Sequence, residues 1–182
     1  MEGNLSSPEH YGIIPRSAQA IFEALKKPEF VSHNVVCTYL EIYNEELGDL
    51  LSDDVSVTTT SLSSSTPMKG GNRSSADTGK KIDIMNGKTG TFVRGLTERE
   101  VHSASDVLAL MQRAQQSRKI GETKMNKASS RSHCVFSMII NANRKLSDGS
   151  IFEFSGKMNM VDLAGSECAG KAAMDKSTGV ST

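Results

Sequence analysis

Apolar residues first recur at helical spacing. Ala18, Ile21, Phe22 and Leu25 share one face of Pro15 to Lys27, and Pro15 stands in the first turn, where its missing N–H costs nothing. The pattern then changes. Asn34 to Tyr43 (NVVCTYLEIY) is β-branched and aromatic on both faces, which predicts a buried strand. Asn44 to Leu51 (NEELGDLL) reads as a short helical turn leaving it. Residues 52–81 are dominated by Ser and Thr and hold almost nothing large and apolar. Such a segment cannot offset its ordering entropy by burial, so a disordered loop is expected there, with a domain linker as the alternative.

Beyond the loop, Lys81 to Met85 and Thr91 to Val93 are short strands joined through Asn86 and Gly87. Ser103, with Asp106 three residues on, is a capping-box signature, and Val107, Leu110, Met111 and Ala114 continue it as a helical stripe. Gly121 to Ser132 is polar and predicts a loop. Residues 133–143 and 151–161 are two extended runs around KLSDGS, whose Asp148-Gly149 is a strong hairpin signal. Interleaved strands and helices give the α/β class.

Composition narrows the chemistry. The 182 residues carry no net formal charge, so no global basic field points to nucleic acid, although a local basic patch stays open. No apolar run is long enough for a membrane span and no signal-peptide layout begins the chain, so neither a membrane nor secretion is expected and the chain reads as intracellular. The three cysteines, Cys37, Cys134 and Cys168, and the four histidines lack the paired spacing of a zinc site and read as structural.

Two segments carry candidate chemistry. Asp162 ends KMNMVD, expected to be a buried strand, at a place where many nucleotide hydrolases hold hydrated Mg²⁺, and Gly165 three residues on lets backbone N–H groups approach a phosphate. Alone, this pattern equally describes an aspartate capping the next turn. The second segment, Asn126 to His133 (NKASSRSH), crowds hydroxyls, a guanidinium and an imidazole into one loop; alone, it equally describes a polar surface loop.

Together, N-x-x-S-S-R-S-H followed by D-L-A-G-S-E resembles the two switch motifs of the kinesin motor domain. Met1-Glu2-Gly3, Gly12 to Arg16 (GIIPR), Leu40 to Leu51 (LEIYNEELGDLL), Val93 to Leu96 and Ser103 to Met111 are similar to kinesin sequence as well. FVRGL, NKASSRSH and Met174-Asp175-Lys176 lean towards the BimC-type bipolar mitotic kinesins. The resemblance implies a partial P-loop NTPase fold over residues 1–182, a mixed central sheet flanked by helices with its first strands and last helices missing. It implies ATP and Mg²⁺ as cofactors of the complete motor and microtubules as partner, at the cytoskeleton or mitotic spindle. It also implies roles: Ser129 and Ser130 at the γ-phosphate, with Ser130 on Mg²⁺ and Asn126 beside them; Asp162 on a Mg²⁺ water; Gly165 sensing the γ-phosphate. Arg131 and Glu167 would pair to close the switches, with Ser130 and Glu167 positioning the attacking water. Lys88, Arg94, Lys171 and Lys176 would face the microtubule.

The Ser/Thr-rich segment and the missing first strands and last helices depart from the family, and so does the phosphate loop. No G-x-x-x-x-G-K-[ST] is present; Gly165 to Ala172 (GSECAGKA) comes nearest, with Ala172 where a hydroxyl is needed, and its first glycine already belongs to the second switch. The resemblance places the phosphate loop just upstream of Met1-Glu2-Gly3. The chain alone is therefore expected to bind ATP weakly and to leave the edge of its 151–161 strand open to a second copy. Two other readings stay in view: a non-catalytic module binding microtubules or a partner motor, and a free-standing nucleotide enzyme using Gly165 to Lys171.

Overall fold

The computed structural model describes residues 1–53, 82–88, 90–122 and 132–165. The expected loop, from residue 54 onward, lies outside them.

The first helix, α1 (Ile13–Leu25), buries Ile14, Pro15, Ala18, Phe22 and Leu25. It starts two residues before Pro15, after Gly12, and stops short of Pro28, whose ring disfavours helical backbone at the residue before it. Strand β1 (Phe30–Tyr43) begins earlier than the expected run, because its mostly exposed start Phe30–His33 still finds a partner strand. Its core half is buried on both faces, with Val35, Cys37 and Tyr39 on one side and Leu40 on the other.

The helical turn expected at Asn44 to Leu51 is instead strand β2 (Glu46–Asp49), antiparallel to β1. Asn44 and Glu45 both take positive φ, 49° and 63°, the left-handed pair that a two-residue hairpin turn requires. The strand wins because it seats Leu47, only 1% exposed, with Leu40 and Ile82. Strands β3 (Asp83–Gly87) and β4 (Gly90–Arg94) form a separate hairpin. Asn86 and Gly87, expected in its turn, are instead paired with Thr91 and Gly90, so the turn falls later, at Lys88.

Strand β5 (Arg99–Val101) pairs with β1 and leads into helix α2 (Ala104–Glu122). The capping signature is real. Asp106 N–H donates to Ser103 Oγ at 3.2 Å, and the Asp106 carboxylate accepts from His102 N–H at 2.8 Å, which holds its pKa below the usual carboxylate range. Of the expected stripe, Val107, Met111 and Ala114 are fully buried and Leu110 packs at its margin. Glu122 carries the helix past Gly121, where the loop was expected to start.

Strands β6 (Ser132–Lys145) and β7 (Ile151–Asp162) form the anticipated hairpin, with Gly149 at φ 86° in its turn. The main sheet runs β2-β1-β6-β7, with β5 also on β1, and its described pairings are all antiparallel. Both helices share one core with one face of this sheet. At its centre Tyr39 and Phe136 meet edge-to-face, ring centroids 5.2 Å apart. The other face is covered in part by Leu47, Ile82 and the β4 side of the small hairpin.

One expectation fails here. The strand ending on Asp162 is not a buried one: Met160 is its only buried residue, because β7 is the sheet's last strand among the described residues.

Phe136→Ala should cost about 3–5 kcal/mol, since the neighbouring strands cannot collapse into the space it leaves. Ile13→Ala, at a position 57% exposed, should change stability by less than about 0.5 kcal/mol. Urea unfolding followed by circular dichroism measures both.

Candidate nucleotide-facing site

The antiparallel register sets Cys134 of β6 opposite Asp162 of β7. The chain leaving β7 therefore passes the residues entering β6. Ala164 N–H donates to His133 Nδ1 at 3.1 Å, which fastens the segment carrying Gly165 to the one opening β6. His133 can accept there only through an unprotonated Nδ1. Of the two motifs, the structure thus brings together Ser132-His133 and Asp162-Leu163-Ala164-Gly165. Asn126, Ser129, Ser130, Arg131 and Glu167 lie outside the described residues, as does the near-miss loop from Ser166 onward.

Asp162 is exposed, and its Oδ2 lies 3.3 Å from the Met1 ammonium. The start of the chain is held in place by two glycines. A Cβ on Gly3, at φ 73°, would lie 2.2 Å from the Gly12 nitrogen, and one on Gly12 would lie 1.9 Å from the Met1 carbonyl oxygen. Gly12 N–H donates to the Glu2 carbonyl at 2.9 Å and Asn4 N–H to that of His10 at 2.9 Å. No larger residue fits either place.

This clasp turns the Glu2 side chain inward to a group of charges that the sequence reading missed. Tyr39 donates its hydroxyl to Glu2 at 2.5 Å, and Gln115 Nε2 donates to the other carboxylate oxygen at 2.6 Å. Arg118 lies 3.8 Å from Glu2, donates to Glu41 at 3.1 Å, and reaches Ser132 Oγ at 3.2 Å. The three charged side chains are each less than a fifth exposed. Burial works against the Arg118 charge, and the surrounding acidic groups more than offset it, so its pKa is raised. Tyr39 is pushed up by burial and by Glu2. A signal existed: Arg118 follows Ala114 by four residues and Met111 by seven, a cation continuing a buried stripe.

The thiols behave as the structural reading expects. Cys37 and Cys134 are free and buried, and burial raises Cys37 to about 12 and Cys134 to about 11. Cys168 lies outside the described residues.

The described members of the basic set lie on the small hairpin. Lys88 is exposed at the turn of the β3–β4 hairpin, and Arg94 is exposed on β4 but paired with Asp83 at 3.1 Å. Lys171 and Lys176 lie outside the described residues.

The site thus consists, among the described residues, of an exposed strand-end carboxylate, Asp162, and the segment through Gly165 fastened to His133, at one end of a sheet that packs helices on one face. The kinesin motor domain model matches residues 1–180, and the chain belongs to that family. It is 37% identical to the kinesin-like protein KIN-5B of Arabidopsis thaliana over 92% of its own length, but over only 15% of that relative. It is 38% identical to the kinesin-like protein KIF11-A of Xenopus laevis over 97% of its length and 16% of the relative. With KIF3C of Pongo abelii it shares 32% identity over 100% of its length and 20% of the relative. The chain thus spans about a sixth of the kinesin-5 relatives it matches.

Two outcomes follow. Arg118→Met should destabilise the chain by about 3–5 kcal/mol, because it leaves Glu2 and Glu41 partly buried without a counter-charge. Adding Glu2→Gln and Glu41→Gln should recover much of that loss in urea unfolding. Raised thiol pKa values mean that the folded state holds these protons more tightly. Their contribution to stability is therefore complete below the unfolded thiol pKa and is lost as pH rises towards about 11 to 12. At pH 8, iodoacetamide should alkylate Cys37 and Cys134 slowly in the native chain and rapidly in urea, as peptide mass spectrometry would show.

Proposed function

We propose that residues 1–182 are the switch-bearing portion of a microtubule-based motor that couples ATP hydrolysis to movement, in the manner of the mitotic kinesin-5 group. The observation that carries this reading is the His133–Ala164 hydrogen bond, which ties the end of the first switch motif to the start of the second beside Asp162. A γ-phosphate contacting either motif would be felt by the other.

The donor set suits a Mg²⁺ held mainly by nucleotide. Among the described residues no three His, Cys, Asp or Glu side chains gather as a metal cage, and Asp162 offers one exposed carboxylate, enough for a water-mediated contact. Mg²⁺ would neutralise charge on the transferring phosphoryl group. Ser130, and Asp162 through a water, would hold the Mg²⁺; Ser129 and Ser130 with Asn126 would contact the phosphate side, and Gly165 would offer its N–H to the γ-phosphate. Arg131 and Glu167 latch the two loops once nucleotide binds, and Ser130 and Glu167 orient the attacking water. Lys88, Arg94, Lys171 and Lys176 meet the acidic microtubule surface.

The 182-residue chain alone binds ATP weakly in this reading, since its sequence has no P-loop to supply backbone N–H groups and a lysine. The alternative is a non-catalytic module, favoured by the exposed Lys88 turn, which needs no nucleotide.

A chimera supplying the flanking motor segments from a kinesin relative tests the assignment. Arg131→Ala should abolish its microtubule-stimulated ATPase while leaving its thermal stability within about 1 kcal/mol. Normal stimulated turnover would refute the latch. Tight microtubule pelleting of residues 1–182 without nucleotide, with an inactive chimera, would favour the module.

A further inference from the structure

The residues opening β6 reach past the ladder that holds the rest of the strand. The described β6–β7 pairing ends at Cys134 and Asp162, so Ser132 and His133 extend beyond it. On their other side they pair with Tyr43 and Ile42, the last two residues of β1. Terminal rungs of this kind open easily unless something else fixes them. His133 nevertheless accepts the Ala164 hydrogen bond, and such a bond weakens steeply once donor and acceptor move out of line.

Side chains alternate across a strand, so Ser132 and His133 point to opposite faces. Ser132 is buried and lies with Cys134 on the face covered by the helices. His133 pairs with Ile42, which packs on the other face with Leu40 and Leu47. Arg118 reaches Ser132 from α2. Its Nη2 donates to Ser132 Oγ at 3.2 Å, and its Nε donates to Glu41 of β1 at 3.1 Å. Glu41 stands opposite Cys134 and so shares that face, which means one guanidinium spans both strands at the end of the sheet. The planar fork suits this double contact, because its N–H groups are fixed relative to one another. Glu2, bonded to Tyr39 and Gln115, lies 3.8 Å away and balances the charge from the chain start.

We infer that Arg118 is a positioning residue for the candidate site: by gripping Ser132 on the helix-covered face, it holds His133 where its Nδ1 meets the Ala164 N–H. The grip and the bond sit on adjacent residues of one backbone, so a shift at Ser132 passes directly to the imidazole. Only the consequence for turnover rests on the motor reading. There, Arg118 sets how the first switch motif enters the sheet.

Ser132→Ala removes the grip and leaves Arg118 with both carboxylates. In the 182-residue chain, the Ala164 amide should then exchange at least about tenfold faster by nuclear magnetic resonance, while amides in the middle of β6, such as Met138, keep their protection. An Arg118 that merely stabilised the fold would lower the protection of these amides together. The triple variant Arg118→Met/Glu2→Gln/Glu41→Gln, which regains stability without the grip, should show the same selective loss. In the chimera, Ser132→Ala should lower kcat of the stimulated ATPase at least about tenfold, with the KM for ATP unchanged. Unchanged Ala164 protection in either variant, equal loss along β6, or an undiminished kcat would overturn the inference. So would a wild type in which the Ala164 amide exchanges freely. An inactive wild-type chimera would instead refute the motor reading, and the exchange measurement would still decide the inference.

Discussion

The register of β6 between β1 and β7 is the constraint on which the rest of the structure depends. It sets Tyr39 against Phe136 at the centre of the core and Cys134 against Asp162 at the end of the sheet. A slip of one residue would turn Phe136 and Met138 to the opposite face and expose them. The same slip would part His133 from Ala164. Burial and the candidate site therefore rest on one alignment: the apolar cost of a wrong register holds the polar end of the sheet in place.

A second tie reinforces the same end. Glu2, Tyr39, Glu41, Gln115, Arg118 and Ser132 come from the chain start, β1, α2 and β6. Charges this little exposed are costly unless every partner is present, so the group specifies one arrangement of four segments more than it adds net stability. Arg118 closes on Ser132, the first described residue of the NKASSRSH motif, and Glu2 is presented by the glycine clasp beside Met1. Helix α2, the chain start and the strand end are thereby coupled mechanically.

Local signals were legible where chemistry is local. The Ser103–Asp106 cap, the Asp148-Gly149 turn and the Val107–Ala114 stripe could all be read from neighbouring residues. Features decided by distant partners were not. NEELGDLL has the composition of a helical turn, yet Leu47 belongs to a pocket formed with Leu40 and Ile82, and only the β1 partner makes a strand the better solution. The run ending on Asp162 is apolar enough for an interior strand, but its position in the sheet is set by which strands lie beside it. The Arg118 group joins residues far apart in sequence, so its only trace was a cation on a buried stripe.

The central claim is that the β6–β7 register holds Ser132-His133 and Asp162 to Gly165 together at one end of the sheet. Amide exchange of Ala164, followed by nuclear magnetic resonance, tests it most directly. The account predicts that this amide is protected in the wild-type chain and exchanges freely in His133→Ala, while Met160 and its neighbours on β7 stay protected in both. Free exchange of Ala164 in the wild type, with β7 itself protected, would contradict it.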